Sequence, residues 1–307
     1  MEHSDPIAAA PNIDPYRAER LLWSGTHHDV WLGKGPYDVN VAVKRAREPH
    51  DNHRLTHEAA ALTRLDHPAV VRLMDRAPDD SWLILEWVRG EPMDQWARSH
   101  SIEELMYTTI QLVDGIRHMH HNGVVHGDIK PSNILVDEQG HATLIDLGVA
   151  VLPEDEEVTF RGTLGFAAPE LLRGERPTNA SELYSLGATL YYCLTGKMPF
   201  TPDDPAALTY VPLVSLPAPP STWAPEVPML LEQAVMKLLA RQGTPRPAGR
   251  AHLAGVATDR RDARHPRSPP AGGGLRGGRA HAGGGRLRTG GVRAEHAHRG
   301  SGRGSPP

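Results

Sequence analysis

Between residue 16 and about residue 257, apolar and polar positions come in short blocks, and each block has the length and period of one element. Val41-Ala-Val-Lys44, Val70 to Leu73, Ser81-Trp-Leu-Ile-Leu85, Ile134-Leu-Val136 and Ala142-Thr-Leu-Ile145 are brief apolar runs of strand length. The last two flank Asp137-Glu-Gln-Gly-His141, which reads as strand, turn, strand. Other stretches have helical spacing. His57 to Leu65 is Ala-rich and contains Glu58. Ser101-Ile-Glu-Glu104 is a capping box, with Ser at the N-cap and Glu three residues on, so it marks a helix start. Leu105, Leu112, Val113, Ile116 and Met119 follow as a core-facing stripe. Leu186-Gly-Ala-Thr-Leu-Tyr-Tyr-Cys-Leu194 is apolar on every side, the pattern of a buried helix. Residues 1–15 show none of these patterns and read as a flexible lead.

From about Asp259 the pattern ends. The remaining stretch is rich in Gly, Arg, Pro, Ala and His, has almost no large apolar residue, and is expected to be disordered because it cannot bury a core. It carries 11 Arg against 3 acids; the whole chain is −4, so the tail is +8 and the rest −12. Arg276-Gly-Gly-Arg279 suggests an RGG-like nucleic-acid arm, but no aromatic is present to stack on bases, and a linker is the plainer reading. The acidic body argues against nucleic acid as the principal partner. With 307 residues, 39% hydrophobic, the chain is long enough for one domain with a substantial core. Cys193 is the single cysteine, so no internal disulfide can form. It lies in the apolar helix, where a packing thiol is expected. Met1 to Pro15 lacks the basic start and apolar stretch of a signal peptide. No run of about 18 apolar residues occurs, so no membrane span and a cytoplasmic location are expected.

The chemistry concentrates in His126-Gly-Asp-Ile-Lys-Pro-Ser-Asn133. Asp128 is a carboxylate able to take a proton from an attacking hydroxyl, Lys130 a cation able to neutralise phosphate, and Asn133 an oxygen donor to a metal. Asp146-Leu147-Gly148 closes the strand pair that Asn133 opens, which brings two oxygen ligands of the kind Mg²⁺ accepts side by side. These residues, at these offsets, resemble the catalytic loop and the Asp-Phe-Gly motif of protein kinases, with Leu147 in place of Phe. Val41-Ala-Val-Lys44, then Glu58, then Asp66-His67-Pro68 follow that family's order, as do Gly162-Thr163 and Ala168-Pro169-Glu170.

The chain therefore resembles a bacterial eukaryotic-like serine/threonine protein kinase over about 240 residues. The resemblance implies an α+β, two-lobed protein kinase-like fold. Its N-lobe, about 16–86, is small and mainly antiparallel β with one key helix; its C-lobe, about 87–257, is larger and mainly α. It also implies ATP with Mg²⁺, or Mn²⁺ in its place, and protein substrates, the chain itself among them. By resemblance Asp128, Lys130, Lys44, Glu58 and Thr163 serve catalysis. Asn133 and Asp146 hold the metal. Gly25, Val30, Ala42, Lys44, Glu86 and Val88 hold the nucleotide, with Leu85 gating the space behind. Arg246 is expected to pair with Glu170.

Three departures from the pattern matter. The phosphate-covering loop reads Trp23-Ser-Gly25-Thr-His-His28-Asp-Val30, with one glycine of the usual three. Its backbone is expected to approach phosphates poorly, so replacing Trp23 and His28 by Gly is expected to tighten ATP. Glu182 stands where a bracing Asp is usual. Gly127 stands where an Arg usually precedes the catalytic Asp. Without that cation, and with Glu154-Asp-Glu-Glu157 nearby, a phosphate on Thr159 is expected to be unwelcome. Two rival readings use the same residues. One is a pseudokinase, a binding module without turnover. The other is a small-molecule phosphotransferase of the aminoglycoside or choline type, against which Lys130, Gly162-Thr163 and Ala168-Pro169-Glu170 count.

Overall fold

The computed structural model describes residues 12–156, 158–201 and 205–241. Arg246 and the Arg-rich tail lie outside the described residues, and with them the expected Arg246–Glu170 pair and the nucleic-acid arm. Strands β1 (Asn12–Ile13), β2 (Tyr16–Ser24), β3 (His28–Lys34), β4 (Asn40–Ala46), β5 (Leu73–Arg76) and β6 (Trp82–Glu86) form one antiparallel sheet in the order β1-β2-β3-β4-β6-β5. Asn12 and Ile13 fall within the expected lead, yet they pair with Arg17 and Tyr16, and Ile13 is buried.

Side-chain alternation gives the sheet two distinct faces. Trp31, Val41, Val43 and Ile84 point to one side and form a small cluster with Ile13, Tyr16 and Ala18. Val30, Ala42, Lys44 and Leu85 share the other side through the pairs Val30↔Lys44 and Ala42↔Leu85. Helix α1 (Asn52–Leu62) crosses this second face and buries Leu55, Ala59 and Leu62, with Glu58 on the same inward side.

The larger lobe is mainly helical. It holds α2 (Met93–Ala97), α3 (Ile102–His121), α4 (Pro169–Leu172), α5 (Asn179–Thr195), α6 (Val211–Val214) and α7 (Met229–Leu238). A three-stranded sheet, β7 (Glu91–Pro92), β8 (Ile134–Val136) and β9 (Ala142–Leu144), lies on the cleft side. The expected capping box opens α3: the Glu104 N–H donates to Ser101 Oγ, and the Ser101 N–H donates to Glu104 Oε2 at 2.7 Å. All five residues of the α3 stripe are buried. Helix α5 is enclosed almost throughout, with α7 packed against it through Leu231, Val235 and Leu238. This is the expected α+β, two-lobed architecture.

One strand differs from its expectation. The Val70 to Leu73 run is expected to be a strand, but β5 begins only at Leu73. Residues 69–71 instead join the two lobes: Val70 bridges Leu144 in parallel, and the Val71 N–H donates to Leu144 O at 2.9 Å. The apolar run is buried because it crosses between lobes, and sequence period cannot tell that from strand burial.

Candidate active site

A cavity of about 430 Å³ opens between the lobes. Its roof is the inner face of the small sheet, with Val30, Ala42 and Lys44; its floor is Lys130, Asn133 and Asp146. Leu85, Glu86 and Val88 close the inner edge, where the chain passes from one lobe to the other. The Glu86 N–H is already committed to Arg72 O at 2.9 Å, so Glu86 has only its carbonyl to offer a ligand. Gly25 sits at the tip of the β2–β3 hairpin, where its N–H donates to His28 O at 3.0 Å.

Lys44 is the electrostatic centre of the roof. Its Nζ lies 2.6 Å from Glu58 Oε2 and 2.7 Å from Asp146 Oδ1. Lys44 is 2% exposed and Glu58 is fully buried, while Asp146 remains half open to the cleft. Burial opposes the charge on Lys44, but Glu58 and then Asp146 outweigh it and hold the ammonium above its ordinary range. The Lys44 charge holds the Asp146 carboxyl well below the usual carboxylate range, against the burial of the site. Burial raises Glu58, which Lys44 only partly offsets. Glu58 and Asp146 together fix the position of the Lys44 ammonium at the roof of the cleft. Asp146 adopts φ +64, a conformation that side-chain-bearing residues avoid outside constrained sites.

The floor is one connected hydrogen-bond network. Asp128 Oδ1 accepts from the Thr163 N–H at 2.8 Å, and Oδ2 lies 2.7 Å from Lys130 Nζ. Lys130 Nζ also donates to Thr163 Oγ1 at 2.8 Å, so the cation spans both segments. Asn133 Nδ2 donates to the Asp128 carbonyl and carboxylate at 2.9 and 3.2 Å. His126 is fully buried; its Nδ1 accepts the Asp128 N–H and its Nε2 donates to Ile145 O. All the expected catalytic and metal residues thus converge on one cleft from five separate segments.

Three features of the site are tertiary. Glu182 does brace the loop, accepting the Gly127 N–H at 2.9 Å, and it also holds His120 Nε2 at 2.5 Å. His120 has no local sequence signal, because its partner lies 62 residues away. Gly127 sits at φ +82, and a Cβ there would stand 2.6 Å from Val149 O. A side chain at this position would meet both that carbonyl and an unfavourable backbone conformation, so glycine suits it. Thr159 lines a cavity of about 240 Å³ with His53, Arg54, His57 and Arg161. Of the acids expected to repel a phosphate there, Glu154 pairs with Arg64, and Asp155 caps the Leu152 N–H beside His57. Asp155 lines the same cavity, so an acid stays beside Thr159.

Residues 16–250 match the protein kinase domain family. The serine/threonine-protein kinase PrkC of Bacillus subtilis is 29% identical over 241 residues, covering 74% of this chain and 37% of that protein. PkaB of Streptomyces coelicolor, also a serine/threonine-protein kinase by name, is 35% identical over 231 residues, 66% of this chain and 55% of that one. PknB of Mycobacterium tuberculosis is 28% identical over 249 residues, covering 74% and 40% respectively. The chain thus spans 37% to 55% of the length of these three relatives. On its two-lobed fold, its Lys44–Glu58 pair and this match, the chain belongs to the protein kinase domain family.

Proposed function

We propose that this chain is an ATP-dependent serine/threonine protein kinase that moves the γ-phosphoryl group of ATP to a Ser or Thr hydroxyl of a protein. The observation that carries the reading is the Asp128–Lys130–Thr163 network facing the Lys44–Glu58–Asp146 cluster across one cleft. Phosphoryl transfer asks little covalent work of the enzyme, so positioning and charge stabilisation supply most of the rate.

Asp128 orients the substrate hydroxyl and takes its proton. Lys130 sits between that carboxylate and Thr163, where it meets negative charge building on the transferred group. Lys44, held by Glu58, steadies the nucleotide phosphates. Ala42, Val30 and Leu85 offer an apolar slot for a flat base, with the Glu86 carbonyl and the Val88 backbone at its edge.

Asn133 and Asp146 suit a hard divalent cation. Both offer oxygen to the cleft, and with Asn133 Nδ2 turned to Asp128 its Oδ1 is left as donor. Mg²⁺, which keeps much of its water, fits such a small protein contribution, and Mn²⁺ fits the same donors. When bound, the ion neutralises phosphate charge. Among the described residues no helix is long and apolar enough to cross a membrane. Use of ATP supports a reaction in the cytoplasm, with protein substrates and this chain itself as acceptors.

The test is transfer of label from γ-labelled ATP, with Mg²⁺, to a generic basic protein and to the chain itself. Label on Ser or Thr that disappears in Asp128→Asn and returns to background with EDTA supports the reading. Nucleotide binding without any transfer would establish the pseudokinase alternative. Transfer only to a small-molecule hydroxyl would establish the other.

A further inference from the structure

The loop over the phosphate end of the cleft is built differently from what one surviving glycine suggests. A Cβ on Gly25 would stand 1.9 Å from Trp23 Cη2, so the Trp23 indole already lies across the space above Gly25. The hairpin tip is covered by a ring on that side. The His28 side chain takes the inward position. It shares a strand face with Val30, and Val30 pairs with Lys44 while His28 pairs with Ala46, one same-face step further toward the tip. Same-face steps along a strand are roughly 7 Å, about the span of one or two phosphates beyond Lys44.

His28 lines the cleft cavity together with Lys44, Asn133 and Asp146. Its ring leans on Trp23, with centroids 4.9 Å apart and planes at 42°. Neighbouring His27 is held by Asp51 at 2.9 Å, whereas His28 makes no such hydrogen bond among the described residues. A seated imidazole that lines the cleft with no protein partner is a donor held ready for a ligand acceptor. Burial, and then the Lys44 charge, push its pKa down to about 4. At neutral pH the ring is therefore uncharged and donates through one nitrogen.

We propose that His28, seated by Trp23, is a direct ligand of the terminal phosphates of the bound nucleotide and does by side chain what the loop backbone does elsewhere. The inference rests on the nucleotide site proposed above and reverses the expectation that Trp23 and His28 obstruct ATP.

The test is calorimetric titration of the full chain with Mg²⁺-ATP and, separately, with adenosine. The wild-type protein, His28→Ala and His28→Gln are compared. Hydrogen bonds to charged groups predict that His28→Ala weakens ATP about tenfold or more while adenosine affinity stays within about twofold. His28→Gln, which keeps a donor, should recover part of the loss. Equal or tighter ATP binding by His28→Ala overturns the inference while leaving the nucleotide site intact. Parallel losses for ATP and adenosine would also overturn it, since they would mean a structural role. No ATP binding by the wild-type chain would remove the nucleotide site itself.

Discussion

Restoring at position 127 the arginine that the family pattern leads one to expect should damage this protein. Gly127 has φ +82, and its N–H is tied to Glu182 Oε1 at 2.9 Å. Two residues earlier, Val125 and Val151 exchange hydrogen bonds of 3.0 and 2.7 Å, so the backbone is pinned on that side too. A side chain there meets two costs. Left-handed backbone costs an L-residue about 1–2 kcal/mol. A Cβ 2.6 Å from the Val149 carbonyl adds an overpacking cost of about 1–3 kcal/mol, because a carbonyl in a pinned loop gives way poorly. Together Gly127→Ala should lose about 2–5 kcal/mol. Gly174 separates the two terms: it has φ +83 with nothing within 4 Å of an added Cβ, so Gly174→Ala should show the backbone cost alone. Urea midpoints, with thermal melts as a second readout, would be compared for wild type, Gly174→Ala, Gly127→Ala and Gly127→Arg. At about 2–4 °C per kcal/mol, Gly127→Ala should melt roughly 2–12 °C below Gly174→Ala, and Gly127→Arg at least as far. Both position-127 variants should lose phosphoryl transfer, since the Glu182 brace is disturbed. Equal stability of the two alanine variants, or a gain of activity in Gly127→Arg, would refute the reasoning.

Four further outcomes are expected. Asp146→Asn and Lys44→Met should each reduce transfer to background with circular dichroism unchanged at 25 °C, and Asp128→Asn should cost roughly 10²–10⁴ in rate. Lys44→Met also strands the fully buried Glu58, at a cost of about 3–5 kcal/mol; adding Glu58→Gln should regain part of it, and a double variant no more stable than the single would count against a buried pair. Thr163→Ala removes the hydroxyl that Lys130 holds at 2.8 Å, so transfer should fall steeply while stability changes by only about 1 kcal/mol in denaturant. Burial pushes the Cys193 thiol above its ordinary value, so maleimide should label it slowly in the native protein and rapidly in urea at the same pH.

The local pattern by itself determined much of this molecule. Strand and helix periods placed β4, β6, β8 and β9 and the α3 stripe, because alternation and 3.6-residue spacing record which face is buried. The Ser101–Glu104 box marked the start of α3, because capping acts over four residues. The offsets within His126–Asn133 named the floor of the cleft, since one short loop carries Asp128, Lys130 and Asn133 together. What depends on distant partners had no local trace. The Val70–Leu73 run looks like a strand until its partner in the other lobe is known. His120 gains its role from Glu182, and Gly127 from the Val149 carbonyl. Trp23 and His28 read as lost glycines until the indole is seen lying over Gly25. Periodicity encodes burial and spacing encodes short-range geometry, whereas close backbone approach and long-range pairing exist only once the chain has folded.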